Sequence, residues 1–430
     1  MSYKSYIRRV NGWRIPALYS SFAIFAGLTL PRIEHRVFPH LVSSINVSTA
    51  ATVYSTIGSG MIALTGIVFS LAFVMVQFSA TAYSPRLVAW IEGDPVMWHA
   101  MGVFMATFLY AIAALARVDF NGSGNVPFLS QWLVVGLLLV SVGMFIALVQ
   151  RIGLLQINRM LAFTGDQGRR VIATLYPVAN SAVGVKERED FRKSPPTQTL
   201  IYKGGPRSIQ SVDTNGLMNL AEGSGGIIDL AVAVGDTIQD SMIMLQVFGS
   251  RTPIDERKLR GCVYFGTGRT FEQDPKYAIR LLVDIAIRAL SPAVNDPTTA
   301  VQALDQIEDL LLRLGQRHLE IGKFCDSDGE LRLLVPFPAW DDIVLLAFGE
   351  ICFCGATSVQ VMRRMNALVS DLIRAVPEER RPALRSWDTR LKATISRSFR
   401  DAEEKSDASR EDRQGLGMPR PVFPEASKRF

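Results

Sequence analysis

The densest run of chemically capable side chains is Gly268 to Ala300, GRTFEQDPKYAIRLLVDIAIRALSPAVNDPTTA. Asp274-Pro275 and Asp296-Pro297 each place a capping carboxylate before a proline at the first helical position, so two helices are expected to begin there. Along the first, Arg280, Asp284 and Arg288 recur every four residues, which suits a solvated row of ion pairs. The same segment would also let Arg269, Glu272, Asp284, Arg288, Asn295 and Asp296 converge where the two helix beginnings and the Ser291-Pro292 turn meet. A cluster of that kind can bind a small anion or nucleotide at a helix N-terminus, or tie subunits together through a polar network.

Familiar catalytic chemistry is not legible. No serine or cysteine nucleophile has a histidine base nearby, so no catalytic residue is assigned. The four histidines, His35, His40, His99 and His318, and the carboxylates lack metal-ligand spacing, so no metal is expected. Cys262, Cys325, Cys352 and Cys354 form no CxxC pair and read as reduced thiols. Gly204-Gly205 and Gly223-Ser224-Gly225-Gly226 lack the Gly-Lys-Ser/Thr ending of a phosphate-binding loop, and no cofactor is implied.

A second pattern lies nearer the N-terminus. In an otherwise apolar stretch, Ser55, Ser59, Gly66, Ser70 and Gln77 recur at steps of four and seven, with Ile62 and Phe73 filling the gaps. All seven fall on one stripe of a helix. Small residues on a membrane helix serve as a packing seam, where Ser or Gln hydrogen-bonds across the contact. They also suit the polar wall of a water-filled path between several copies, with Ile62 or Phe73 as apolar constrictions.

The elements that hold these residues follow from hydropathy. The chain has 430 residues, 48% of them hydrophobic, and a net charge of +6. Nearly all long apolar runs precede Gln150. Four stretches approach the roughly 20 residues needed to cross a bilayer: about 15–30, 53–78, 97–116 and 129–150, none containing Asp, Glu, Lys or Arg. The expected fold is a four-helix transmembrane domain (1–150) followed by a cytoplasmic α+β domain. That domain comprises a membrane-exit helix and linker (151–197), a small β-barrel or sandwich (198–249), a helical bundle (250–400) and a disordered tail (401–430). Within the β region, Ala231 to Gly249 loosely resembles barrel-sandwich carriers but has no lysine at its turn.

With a cytoplasmic N-terminus, Lys4, Arg8, Arg9, Arg14, Arg86, Arg151, Arg159, Arg169 and Arg170 lie inside, against Arg32, Arg36 and Arg117 outside. That bias places both termini in the cytoplasm. The same basic residues sit beside hydrophobic segments, where lipid headgroups rather than nucleic acid account for them.

The runs GIVFSLAFVMVQFSATAYSPR (Gly66 to Arg86), FLYAIAAL (Phe108 to Leu115) and RTFEQDPKYAIRLLVDIAIRALSPAVNDPTTA resemble a bacterial family of predicted membrane proteins, the domain of unknown function numbered 2254. The resemblance covers about Ser55 to Val376 and implies a bacterial, inner-membrane location with no established activity. Gly205-Pro206-Arg207-Ser208 departs from the family's Gly-Tyr-Val opening of the β region. The expected function is a homo-oligomeric channel or permeation-related protein with a cytoplasmic sensing or gating domain. The alternatives are a membrane-anchored enzyme or small-ligand receptor using the 269–296 cluster, and an assembly scaffold.

Overall fold

The structure is a computed structural model that describes residues 13–37, 43, 45–82, 95–119, 126–152, 157–177 and 191–417. The chain divides into two compact units, 1–156 and 157–430.

The first unit is helical: α1 (Arg14–Val37), α2 (Val47–Ala82), α3 (Pro95–Leu115) and α4 (Phe128–Ile152). Helix α3 is the centre, and α1, α2 and α4 each pack along it. Its buried Ala100, Gly102, Ala106, Ala111, Ala113 and Ala114 allow that close approach. A Cβ added at Gly27 would fall 2.6 Å from the Ala113 Cβ, so α1 and α3 cross at a contact only glycine permits. The hydroxyls of Thr107 and Ser141 pair at 2.9 Å inside the α3–α4 contact.

Among the described residues, three helices are long and apolar enough to cross a membrane, Val47–Leu71 within α2, Pro95–Leu115, and Phe128–Gln150 within α4. The expectation of four is therefore met in part. Ile15 to Leu30 is helical, but α1 also carries Arg14, Pro31, Arg32, Glu34 and Arg36, and it does not join the three. The end of the family-like run, Tyr83-Ser84-Pro85-Arg86, lies outside the described residues.

The second unit opens with α5 (Ile157–Leu175), followed by β1 (Gln198–Ile201), β2 (Arg207–Val212), α6 (Thr214–Ser224), β3 (Ile227–Leu230), β4 (Thr237–Ile238) and β5 (Ile243–Phe248). After α7 (Glu256–Gly261) come β6 (Val263–Gly266), α8 (Pro275–Ala289), α9 (Pro297–Gly315), β7 (Lys323–Cys325) and β8 (Leu331–Leu334). Helices α10 (Trp340–Cys354), α11 (Val359–Ala375), α12 (Arg381–Ser398) and α13 (Ala402–Ser409) complete it.

The strands form two small sheets, ordered β1-β5-β3-β8-β7 and β4-β2-β6, where the sequence led to a barrel or sandwich within 198–249. Strand β3 pairs antiparallel with β5 and parallel with β8, so three strands of the two sheets come from beyond residue 249. One core joins both sheets through Leu200, Ile209, Ile228, Ile238, Leu245, Val247 and Leu333, with Leu217 of α6 among them. Asp213 caps α6 by accepting the Gly216 N–H at 3.0 Å.

Helices α5, α8 and α9 pack together, α10 on α8, and α11 between α9 and α12. A Cβ at Gly168 would lie 2.8 Å from a Leu310 methyl and 2.9 Å from the Ala278 Cβ. That glycine sets the close approach of α5 to α8 and α9. Residues 401–417, expected as part of a disordered tail, are ordered against α11. Asp401 caps α13, Arg363 donates to the Asp407 carbonyl at 2.7 Å, and Asn366 donates to the Ala408 carbonyl at 3.0 Å. Arg413 adds an ion pair to Asp371 at 2.7 Å. Such polar tethering is invisible to a composition rule, which registers only mixed charge.

Candidate functional site

The six residues expected to converge fall into three separate places along α8. Fifteen residues at 1.5 Å per residue make α8 about 22 Å long. Arg269 and Glu272 precede its first turn, whereas Asn295 and Asp296 follow its last. The two helix beginnings therefore stand at opposite ends of α8.

At the first end, Asp274 is almost wholly buried and its side chain does not cap α8. Its Oδ2 instead accepts Arg269 Nε at 2.7 Å, with Nη2 at 2.6 Å, and the guanidinium lies 5.5 Å from the centre of the Tyr277 ring. The left-handed Gly235 (φ 90°) lets a turn pass directly over this pair, where a Cβ would collide with the Asp274 carboxylate. Burial raises the Asp274 carboxyl above the usual range, against the opposing pull of Arg269, and burial alone raises Glu272. Asp274 Oδ1, the Thr270 hydroxyl and the buried Tyr176 hydroxyl have no hydrogen-bond partner among the described residues. Burial, and secondarily the Asp274 charge, push the Tyr176 phenol up.

In the middle of α8, Arg280 forks between Asp284, at 2.7 Å, and Glu350 of α10. This ion pair joins two helices and is not the simple surface row that spacing allows. Arg288 is half-buried one turn further on. At the far end, Asn295 adopts a left-handed conformation (φ 48°) in a turn closed by Asp296 N–H donating to the Ala289 carbonyl at 2.8 Å. Asp296 then caps α9, accepting from the Thr299 N–H at 3.1 Å and its hydroxyl at 2.6 Å. The Asp296 carboxylate thus occupies the position that an anion would take at the start of α9, whereas the Asp274 carboxylate is turned to Arg269.

The stripe on α2 has a different character. The face of α2 toward the bundle carries Ala50, Tyr54, Gly58, Met61 and Val68, all buried. Ser55, Ser59, Ile62, Gly66, Ser70, Phe73 and Gln77 are all exposed in the single chain. A Cβ at Gly66 would meet no atom within 4 Å. Among the described residues the stripe is therefore not a buried seam between helices of one chain. Ser59 donates to the Thr56 carbonyl at 3.1 Å, so its own helix satisfies that hydroxyl.

Sequence reasoning missed Glu34. Its carboxylate is nearly inaccessible and accepts the backbone N–H groups of Leu129 (2.8 Å) and Ser130 (3.3 Å), capping α4 from the end of α1. Ser130 in turn bonds the Tyr110 hydroxyl at 2.9 Å. Only the paired charges Arg32, Glu34 and Arg36 beside a proline hinted at a helix end there.

Buried Cys262 and Cys352 have thiols pushed up by burial. Among the described residues no three His, Cys, Asp or Glu side chains stand together as a metal site.

A family model described as "Predicted membrane protein (DUF2254)" matches residues 9–371. Uncharacterized proteins of Mycobacterium bovis and Mycobacterium tuberculosis are each 26% identical over 406 residues, covering 91% of this chain and 75% of the relative. No solved structure matches.

Proposed function

The chain belongs to this family of predicted membrane proteins, whose description assigns no activity, and we propose that it is a homo-oligomeric channel or permeation-related protein. In this reading α2 faces neighbouring copies around a shared path, and the second unit senses or gates. One observation carries it: all seven residues of the stripe are exposed in the single chain, away from the face that buries Tyr54, Met61 and Val68. An exposed row of small and polar residues on a membrane-length helix suits contact with another copy or with the water of a common path.

In the same reading α1 is a fourth membrane helix. Leu18, Phe22 and Phe25 point outward as lipid-facing side chains do, while Glu34 turns inward to α4. The basic residues then place both termini in the cytoplasm of a bacterium, with the spans in its inner membrane.

Single-cysteine variants at Ser55, Ser59 and Ser70, made after replacing Cys262, Cys325, Cys352 and Cys354, test this in lipid nanodiscs. Labelling by a membrane-impermeant charged thiol reagent, with ion flux reduced by the label, is the expected result. Protection from that reagent, together with quenching by lipid-borne probes, would place the stripe against lipid and remove the channel.

A second reading, a membrane-anchored small-ligand receptor, draws support from the Asp274 end of α8. The unpartnered hydroxyls of Tyr176 and Thr270 and the free Oδ1 of Asp274 favour a small neutral hydrogen-bonding molecule over an anion.

A further inference from the structure

We propose that the outward face of α10 is a self-association surface. Two copies pack their α10 helices antiparallel across a two-fold axis at Gly349, and Leu345 of one copy lies against Phe353 of the other. This does not rest on the stripe of α2.

The inner face of α10 is fully used by Trp340, Ile343, Val344, Ala347, Phe348, Ile351 and Cys352. On the outer face, Leu345 is 54% exposed and Phe353 84% exposed. No large apolar side chain described on the three membrane-length helices is as exposed as Phe353, and lipid can cover those. The second unit has no membrane-length helix among its described residues, so lipid does not explain Phe353 in the same way.

Leu345, Gly349 and Phe353 form one i, i+4, i+8 ridge, about 12 Å from end to end. A Cβ at Gly349 would meet only Leu345 Cδ1, at 3.6 Å, so the middle of the ridge is open. A two-fold through that gap lets the helices approach closely and pairs each large side chain with the other's flank. An isologous contact requires this kind of self-complementary patch.

Charge selects the direction. Asp341 and Asp342 are exposed at the N-terminal end of α10. Helix α12 runs alongside α10 in the same sense: Trp340 Nε1 donates to the Arg380 carbonyl at 2.9 Å, and the Phe348 and Trp387 rings lie 5.6 Å apart. It thereby brings the exposed Arg390 and Arg397 to the C-terminal end, where their charge reaches Cys352. Antiparallel docking sets each acidic end beside a basic one, whereas parallel docking would set like charges together. The acidic end also opposes an anionic lipid surface. A second copy fits both ends.

The test uses the full-length protein in proteoliposomes, with Cys354→Ala as background. Leu345→Cys in one tagged copy and Phe353→Cys in another are co-reconstituted and oxidised. The expected product is the mixed Leu345→Cys to Phe353→Cys dimer in excess over either self-pair. Asp341→Arg with Asp342→Arg should abolish it, and adding Arg390→Asp with Arg397→Asp should restore it. Restoration also shows that the variants fold. Ser70→Leu on α2 should leave the cross-link intact, which separates this contact from the proposed path. Predominant self-pairs, or a probe on Phe353→Cys quenched by lipid-borne quenchers without any cross-link, would overturn the proposal.

Discussion

Replacing Glu34 should unlock α4 from α1. The Glu34→Ala variant leaves the Leu129 and Ser130 N–H groups, now capped at 2.8 and 3.3 Å, without an acceptor in a buried place. An unmade buried hydrogen bond costs about 1–3 kcal/mol, so two cost roughly 2–6 kcal/mol. Glu34→Gln keeps the length and one acceptor oxygen for the Leu129 N–H, but it sets an amide NH2 against the Ser130 N–H and loses the attraction of a full charge to the start of α4. The charge loss is about 0.3–2 kcal/mol, and the lost Ser130 hydrogen bond adds about 1–3 kcal/mol. The order parent, Glu34→Gln, Glu34→Ala should therefore appear in unfolding midpoints measured in mild detergent, with the alanine variant, which loses both hydrogen bonds, shifted further than the glutamine. Both variants within about 0.5 kcal/mol of the parent would refute the cap, since ordinary surface substitutions fall in that range. Equal large losses would refute its hydrogen-bonded character and leave charge alone.

Gly168→Ala drives a methyl into Leu310 and Ala278 at 2.8–2.9 Å and should destabilise by about 1–3 kcal/mol. Gly136→Ala, in open space on α4, should be neutral or stabilising by up to about 1 kcal/mol, and thermal unfolding compares the two. A double-mutant cycle of Arg280→Met with Glu350→Gln should give a coupling of about 0.2–1 kcal/mol that shrinks with salt, because Glu350 is half exposed. Zero coupling at low salt would strike this bridge from the contacts joining α8 to α10. Asp326 is held below the usual carboxylate range by its hydrogen bond from Arg332, at 2.7 Å, and by the Glu330 and Asp328 N–H groups. Its stabilisation is complete above the ordinary carboxylate pKa and is lost as pH falls through the lower folded value. Denaturant titrations at descending acidic pH should find that Asp326→Asn flattens this limb, and superimposable limbs would contradict the assignment.

Local signals carried well where a helix is decided by its own residues. Asp296-Pro297 starts α9 with the carboxylate as cap, as its pattern predicts. Asp274-Pro275 marks the start of α8 equally well, yet Asp274 does not cap it, because Arg269 and the Gly235 turn claim its carboxylate. Periodicity likewise put seven residues of α2 on one stripe.

The direction in which that stripe points was a tertiary matter. Both a seam and an outward face repeat with the helical period, so only the packing of Tyr54, Gly58, Met61 and Val68 toward α3 separates them. Strand β8 entered the larger sheet beside β3 from about a hundred residues away, beyond the reach of local alternation. Spacing along α8 grouped six polar residues that the rigid length of the helix then held apart. The sequence by itself determined which segments are apolar, where helices begin and which residues share a face, because those depend on neighbours within a few turns. Which face is buried, which carboxylate caps which helix, and which polar groups meet depended on segments distant in the chain, and the tertiary structure alone decided them.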